Sequence, residues 1–169
     1  MALFTESADV SVRPATPGDE QAMTDVQLAA WGTAHRDVLG DDVLAALDVD
    51  RIRDQWASAI TSPPGPGFAV LVACERADVV GFAAVSPGQL VALEVRPSAQ
   101  RSGHGSRLLS AAVDRLRSDG ADEVAAWVLD GDAARERFLA GSGMGPDGRT
   151  RTLATGVRDV VESRWSASL

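Results

Sequence analysis

The sequence predicts an α/β protein built on a mixed, largely antiparallel sheet of about seven strands, with helices on both faces. Three observations predict it. Seven short runs rich in Val, Ala and Leu have strand length and are fenced by Gly, Pro and Asp. Three of them, between Phe68 and Val95, are almost continuously apolar, which implies burial on both faces and therefore cover from both sides. Five further segments repeat their apolar residues at helical spacing. A chain of 169 residues suits a single domain, here 10–169, behind a loose tail at 1–9.

In chain order, Val10-Ser11-Val12-Arg13 alternates as a short first strand, and Pro14 to Asp19 reads as a turn that ends at a helix cap. The first helix is expected from about Asp19 to Ala34, with Ala22, Val26, Ala29 and Ala30 on its apolar side. A second helical pattern covers Asp42 to about Asp48, and a third runs from Val49 to Ile60. Thr61 to Gly67 is a loop dense in Pro and Gly, too short to separate domains. The strands Phe68–Glu75, Val79–Ser86 and Gln89–Val95 follow, joined by turns at Arg76-Ala77-Asp78 and Pro87-Gly88, so an antiparallel meander is expected. A helix from Arg107 to Ser118 carries Leu108, Leu109, Ala112, Val113 and Leu116 on one face and stops at Gly120. A fifth strand, Glu123–Leu129, leads to a helix that Asp132 caps and that extends through Ala140. Two last strands, about Arg149–Ala154 and Arg158–Trp165, form a closing hairpin.

The chain is organised around Val95 to Ser106, VRPSAQRSGHGS. Pro97 lacks an N–H and ends the strand ladder. Gly103 and Gly105 carry no Cβ, so a ligand can approach the backbone there. A strand, a glycine-rich turn and a helix N-terminus in succession place free N–H groups and the positive end of a helix dipole at one point, which suits a phosphate. The Gly-Lys-Ser/Thr ending of a P-loop is missing, and the turn follows the fourth strand rather than the first, which argues against a dinucleotide fold.

The Q-x-x-G-x-G spacing of Gln100-Arg101-Ser102-Gly103-His104-Gly105, set after V-x-P and before an amphipathic helix, resembles the acetyl-CoA-binding motif of the GCN5-related N-acetyltransferase (GNAT) family. "VRPATPGDEQAM" is similar to the family's opening, and the resemblance extends over nearly the whole chain. It implies the acyl-CoA N-acyltransferase fold and acetyl-CoA as co-substrate, with no metal. It also implies that Gln100, Arg101, Ser102, Gly103, His104, Gly105 and Ser106 bind the coenzyme, their amides holding the pyrophosphate. In the family the backbone at the positions of Leu93 and Val95 pairs with the pantetheine arm like an added strand. Asp132 either accepts a hydrogen bond from a pantetheine amide or caps its helix, or does both. His104 serves loop packing or touches phosphate.

The acceptor side is less defined. A lysine-like amine is neutral only about one part in 2,500 at pH 7, so a base near the acyl carbon would help. Relatives commonly carry Glu at the position of Gln89, and Gln cannot take a proton. Glu94 is the replacement candidate, either as a catalytic base or in a structural ion pair with an Arg. Which face of the strand meets the cleft is open, because alternation sends Glu94 opposite Leu93 and Val95. His35 stands where relatives often have Tyr, on the expected acceptor wall, where it could contact substrate, pack, or act as base. Trp31 is expected to line the cleft or the core. The helix starting at Asp132 and continuing to Gly143-Met144 is similar to the family's N-x-x-A-x-x-F-Y-x-x-x-G-F, but Leu139 replaces the Tyr that usually protonates the departing sulfur. A thiolate leaves tolerably without that proton.

Two function classes follow from the resemblance. One is an N-acetyltransferase acting on a small-molecule or peptide amine by direct transfer in a ternary complex. The other is a catalytically weak or inactive acyl-CoA binder, a sensor or subunit. A structural partner without ligand is a third possibility, and it predicts no response to coenzyme A. A homodimer through the terminal hairpin is a further expectation.

Composition narrows the partners. The formal charge of −8 opposes nucleic acid and agrees with a cationic acceptor. The chain has no Lys, Asn or Tyr, so no phenol is available for proton transfer. Cys74 is the single cysteine and sits in an apolar strand, which points to a buried inert thiol and leaves no internal disulfide or zinc cluster. No apolar run approaches the roughly 18 residues of a membrane span, and MALFTESADV lacks the zones of a signal peptide, so a cytoplasmic location is expected.

Overall fold

Proline and glycine punctuation sets the element boundaries closely. In the computed structural model, which describes residues 9–169, the strands are β1 (Val10–Pro14), β2 (Ala69–Glu75), β3 (Asp78–Ser86), β4 (Gln89–Val95), β5 (Glu123–Leu129), β6 (Gly145–Ala154) and β7 (Asp159–Ser168). The helices are α1 (Glu20–Ala34), α2 (Arg36–Leu39), α3 (Asp41–Ala45), α4 (Val49–Thr61), α5 (His104–Ser118) and α6 (Ala133–Gly141), with a 3₁₀ turn at Pro97–Ala99. The expected tail lies outside the described residues except for Asp9, whose carbonyl accepts from Arg76 N.

The sheet order is β1-β2-β3-β4-β5-β7-β6. The meander β1 to β4 is antiparallel throughout, as the short turns require. β4 and β5 run parallel and pair at a single register point, Gln89↔Ala125. β7 inserts antiparallel between β5 and β6. Every residue of β3 from Val79 to Val85 is buried, as its unbroken apolar run predicts. β4 departs from that expectation on one face: Gln89 is exposed and Val91 is 60% exposed, while Leu90 between them is buried on the other face.

Helices cover both faces. On one, Leu108, Leu109, Ala112 and Leu116 of α5 pack with Leu139 of α6 over Ala73, Ala83, Leu93, Val95 and Val124. On the other, Met23 and Val26 of α1 meet Val72 and Phe82, and Trp56 of α4 sets its ring edge-on to Phe82 at 4.9 Å between centroids. Phe82 is fully buried at this seam, and its truncation to Ala should cost about 3–5 kcal/mol.

Three expectations need correction. The helix expected over Asp42–Asp48 is the shorter α3, Asp41–Ala45, and a helix not expected, α2, precedes it, the two separated by Gly40 at φ 84°, a conformation open to glycine that ends the first and admits the second. α5 begins at His104 rather than Arg107, so Gly105 lies in its first turn and Gly103 is the N-cap at φ 83°. Asp19 precedes α1 without capping it through its side chain. Its carboxylate is instead held by both Arg13 guanidinium nitrogens, at 2.7 and 3.0 Å, and by Thr16 N.

Candidate active site

β4 is the strand around which the site forms. Arg96 N donates to Val80 O on β3, and the residues opposite each other alternate from there, so Glu94 and Ala92 direct their backbone groups toward β3. Leu93 and Val95 therefore direct theirs the other way, toward β5. Because β5 has already parted from β4, those groups face an open gap. Both carbonyls are met by side chains: Leu93 O accepts from Arg135 Nη2 at 2.5 Å, and Val95 O from Gln100 Nε2 at 3.1 Å.

The gap leads to the N-terminus of α5. The first helical bond there runs from Arg107 N to Gly103 O, which leaves the amides of His104, Gly105 and Ser106 without helical partners. Arg101 at φ 62° and Gly103 at φ 83° flank Ser102, a backbone alternation that gathers successive N–H groups into an anion-binding concavity. A left-handed conformation at Arg101, which has a Cβ, is a local strain of the kind found at binding sites. Phe138 of α6 lies over the start of α5, where a Cβ at Gly105 would meet its ring at 3.5 Å, an ordinary van der Waals contact.

A cavity of about 440 Å³ follows this path, lined by Leu93, Val95, Gln100, Arg101, Gly103, Gly105 and Ser106 from β4 and the turn, and by Arg135, Arg137 and Phe138 from α6. A second cavity, about 330 Å³, lies toward α1, α2, α3 and β7. The two share His35, Leu93, Glu94, Asp132 and Arg135, which makes those residues the partition between them.

The partition is tightly bonded. Glu94 faces α1: its Oε1 accepts from Trp31 Nε1 at 3.1 Å and its Oε2 from Arg135 Nη2 at 3.2 Å. Of the two roles open to Glu94, the ion pair is present. The Asp132 side chain caps α6 by accepting from Arg135 N at 3.0 Å, and its other oxygen lies 3.4 Å from His35 Nδ1. His35 is 6% exposed, and Nδ1 is enclosed without a hydrogen-bond partner. The Trp31 indole stands edge-on to the imidazole, centroids 6.0 Å apart. A buried imidazole beside a carboxylate, at the boundary of two cavities, is placed to move a proton.

Other candidates fall elsewhere. His104 is 1% exposed and points into the fold, its Nε2 2.7 Å from Glu75 Oε1, so its side chain belongs to packing and only its amide faces the anion site. Ser102 is exposed and is not part of the cavity wall; its carbonyl accepts from Arg107. Gln100 joins the site, but its amide is occupied by Val95 O. Gln89 lies at the far end of β4 among Gly88, Glu123 and Arg164, outside both cavities, so its replacement of Glu says nothing about proton transfer. Leu139 is buried and lines the second cavity without offering a proton. Cys74 is buried in β2, two strands from β4.

Sequence reasoning missed Arg135, Arg137 and Glu162. The arginines sit in the first two turns of the helix that Asp132 caps, and a cation there had no sequence partner to mark it. Glu162 on β7 is 8% exposed, lines the second cavity and bonds Arg151 Nε at 2.6 Å. Its alternation with Val160, whose side chain packs on Leu39 and Val43, was the available signal. Among the described residues no group of three or more His, Cys, Asp or Glu side chains is arranged to hold a metal, and no helix is long and apolar enough to cross a membrane.

Comparison with known proteins agrees with this fold. The model of the acetyltransferase (GNAT) family matches residues 29–144, more than half of the chain. The N-acetyltransferase YuaI of Bacillus subtilis is 28% identical over 131 residues, 72% of each protein. Among solved structures, PaiA N-acetyltransferase from Thermoplasma acidophilum in complex with coenzyme A superposes with a TM-score of 0.81 at 13% identity, over 95% of this chain and 99% of that one. A GCN5-related N-acetyltransferase from Rhodopseudomonas palustris gives 0.79 at 20% identity, over 94% and 95%.

Proposed function

The chain belongs to the GNAT acetyltransferase family, and from that premise we propose that it moves an acetyl group from acetyl-CoA to an amine by direct transfer in a ternary complex. The observation that carries this is the free edge of β4 running into the unpartnered amides of α5. The pantetheine arm takes the place of the missing β5 pairing, bonding at Leu93 and Val95. The pyrophosphate sits on the amides of Arg101 to Ser106, with Arg101 and Arg137 adding charge.

Seating the arm exchanges one bond for another. Leu93 O now accepts from Arg135, so a pantetheine amide at that carbonyl displaces the guanidinium and loosens its hold on Glu94. The coenzyme thereby prepares the acceptor side, which favours its binding first.

In the transfer, the amine nitrogen attacks the thioester carbonyl carbon, the C–S bond breaks and the sulfur leaves as thiolate. His35, beside Asp132, takes a proton from the ammonium so that a neutral nitrogen attacks, and the second proton, shed as the amide forms, passes to solvent. Glu94 and Trp31 fix the wall against which the amine is placed. The thiolate gains its proton from water, since Leu139 supplies none. The route needs no covalent enzyme intermediate, and buried Cys74 is remote from the gap.

Leu139 supports one rival function, an acyl-CoA-binding protein with little or no turnover. Calorimetry with acetyl-CoA combined with thiol release over a panel of amines separates the two. Binding with amine-dependent release supports the enzyme, binding without release for any amine supports the rival, and no binding overturns both.

A further inference from the structure

The second cavity has a chemistry of its own. Its body is apolar, formed by side chains such as Leu39, Val43, Leu47, Trp127, Leu129 and Leu153. Its charged lining comprises three carboxylates, Glu94, Asp132 and Glu162, against one guanidinium, Arg135. Counting Arg151, which holds Glu162 from outside the lining, negative charge still exceeds positive. Glu162 lines this cavity and not the coenzyme one, so its charge acts on the acceptor alone.

Resting on the function proposed above, we infer that the acceptor is a compact primary amine with an apolar body, an arylalkyl or branched alkyl monoamine, drawn in as a cation by Glu162. Size supports compactness: at about 330 Å³ this is the smaller of the two cavities. Besides its charged groups the lining offers the side chains of Gln27 and Thr155, too few partners for the many hydroxyls of an amino sugar, so much of their burial would go uncompensated. A second ammonium, as in a polyamine, would have to compete with Trp31 and Arg135 for Glu94, or with the Arg135 amide for Asp132. An acidic amine would meet the carboxylates. Glu162 draws the substrate and discriminates; it does not take part in the transfer.

The test is thiol release with a homologous series of straight-chain alkylamines, 2-phenylethylamine, spermidine, kanamycin and glutamate. The expected result is kcat/KM rising about fourfold per added methylene until the cavity is full, with 2-phenylethylamine at least tenfold above spermidine and kanamycin and no turnover of glutamate. Glu162→Gln should raise KM for 2-phenylethylamine about tenfold, with kcat and acetyl-CoA affinity unchanged. Leu153 is 40% exposed on the edge strand, so Leu153→Arg should fold and should raise the same KM by placing a cation at the wall. A flat alkylamine series, a preference for spermidine or kanamycin, or an unchanged amine KM in both variants would overturn the inference while leaving coenzyme binding intact. Calorimetry on the same samples reads that binding separately, and its loss in the unaltered protein would sink the proposed function itself.

Discussion

The two cavities that meet at Glu94 are made of different material. The one we propose for the coenzyme is mainly backbone: a strand edge, a left-handed turn and the first amides of a helix. The one we propose for the acceptor is side chains from α1, α2, α3, β5 and β7, brought together from distant parts of the chain. Backbone recognises what all acyl-CoA ligands share, and it tolerates drift in the residues that carry it. Side chains recognise what differs among acceptors, and each replacement there changes the chemistry. One flank is therefore expected to fail only when the main chain is blocked, and the other to respond to single side-chain changes.

The largest effect should come from blocking the main chain. Gly103→Asp with Gly105→Asp puts two carboxylates on the anion site and should weaken acetyl-CoA about 100-fold or more by calorimetry, since repulsion of a few kcal/mol corresponds to that factor. Retained affinity would mean that the turn does not hold the coenzyme.

His35→Gln probes the partition. Turnover should fall about 100-fold, within the usual range for a lost acid or base, with acetyl-CoA affinity unchanged within about twofold. Equal loss of affinity would assign His35 to coenzyme binding instead.

Arg135→Met removes the cation that ties the flanks together. Glu94 then keeps only Trp31, and the partly buried unpaired carboxylate should cost about 1–3 kcal/mol in denaturant unfolding. Leu93 O is left free, so coenzyme affinity should hold or rise; a fall would show that Arg135 binds the coenzyme rather than holding its place.

The smallest effect lies away from both cavities and calibrates the others. Hydrogen bonds from Arg13 hold the Asp19 carboxyl below its ordinary value, opposed by burial and aided by the Thr16 amide. A lowered carboxyl contributes stability at neutral pH that disappears as pH falls through the folded-state value. Asp19→Asn should therefore cost about 1 kcal/mol at pH 7, and the difference from the unaltered protein should vanish in strong acid. Coenzyme affinity and turnover at neutral pH should be untouched.

The same contrast explains what the sequence made legible. The turns Arg76-Ala77-Asp78 and Pro87-Gly88 are local signals, and the meander between them follows from neighbouring residues alone. The turn and helix start that we propose as the anion site were also legible, because Pro97, Gly103 and the α5 pattern lie within one short stretch. The partition was not. Trp31 and Glu94 are 63 positions apart, and Arg135 and Glu94 are 41 apart, so no local spacing links them. The sequence left Glu94 open between base and ion pair, and only the cation that α6 delivers across the gap decides it. His104 misled for the opposite reason: its place in the motif marks the amide, while its ring turns inward to Glu75.

The central claim is that main-chain nitrogens between Arg101 and Ser106 grip the coenzyme's pyrophosphate. Backbone amide NMR during titration with coenzyme A tests it directly. The largest shifts should fall on the amides of Arg101 to Ser106, with Leu93 and Val95 next. Shifts confined to other residues, with those amides unmoved at saturation, would contradict it.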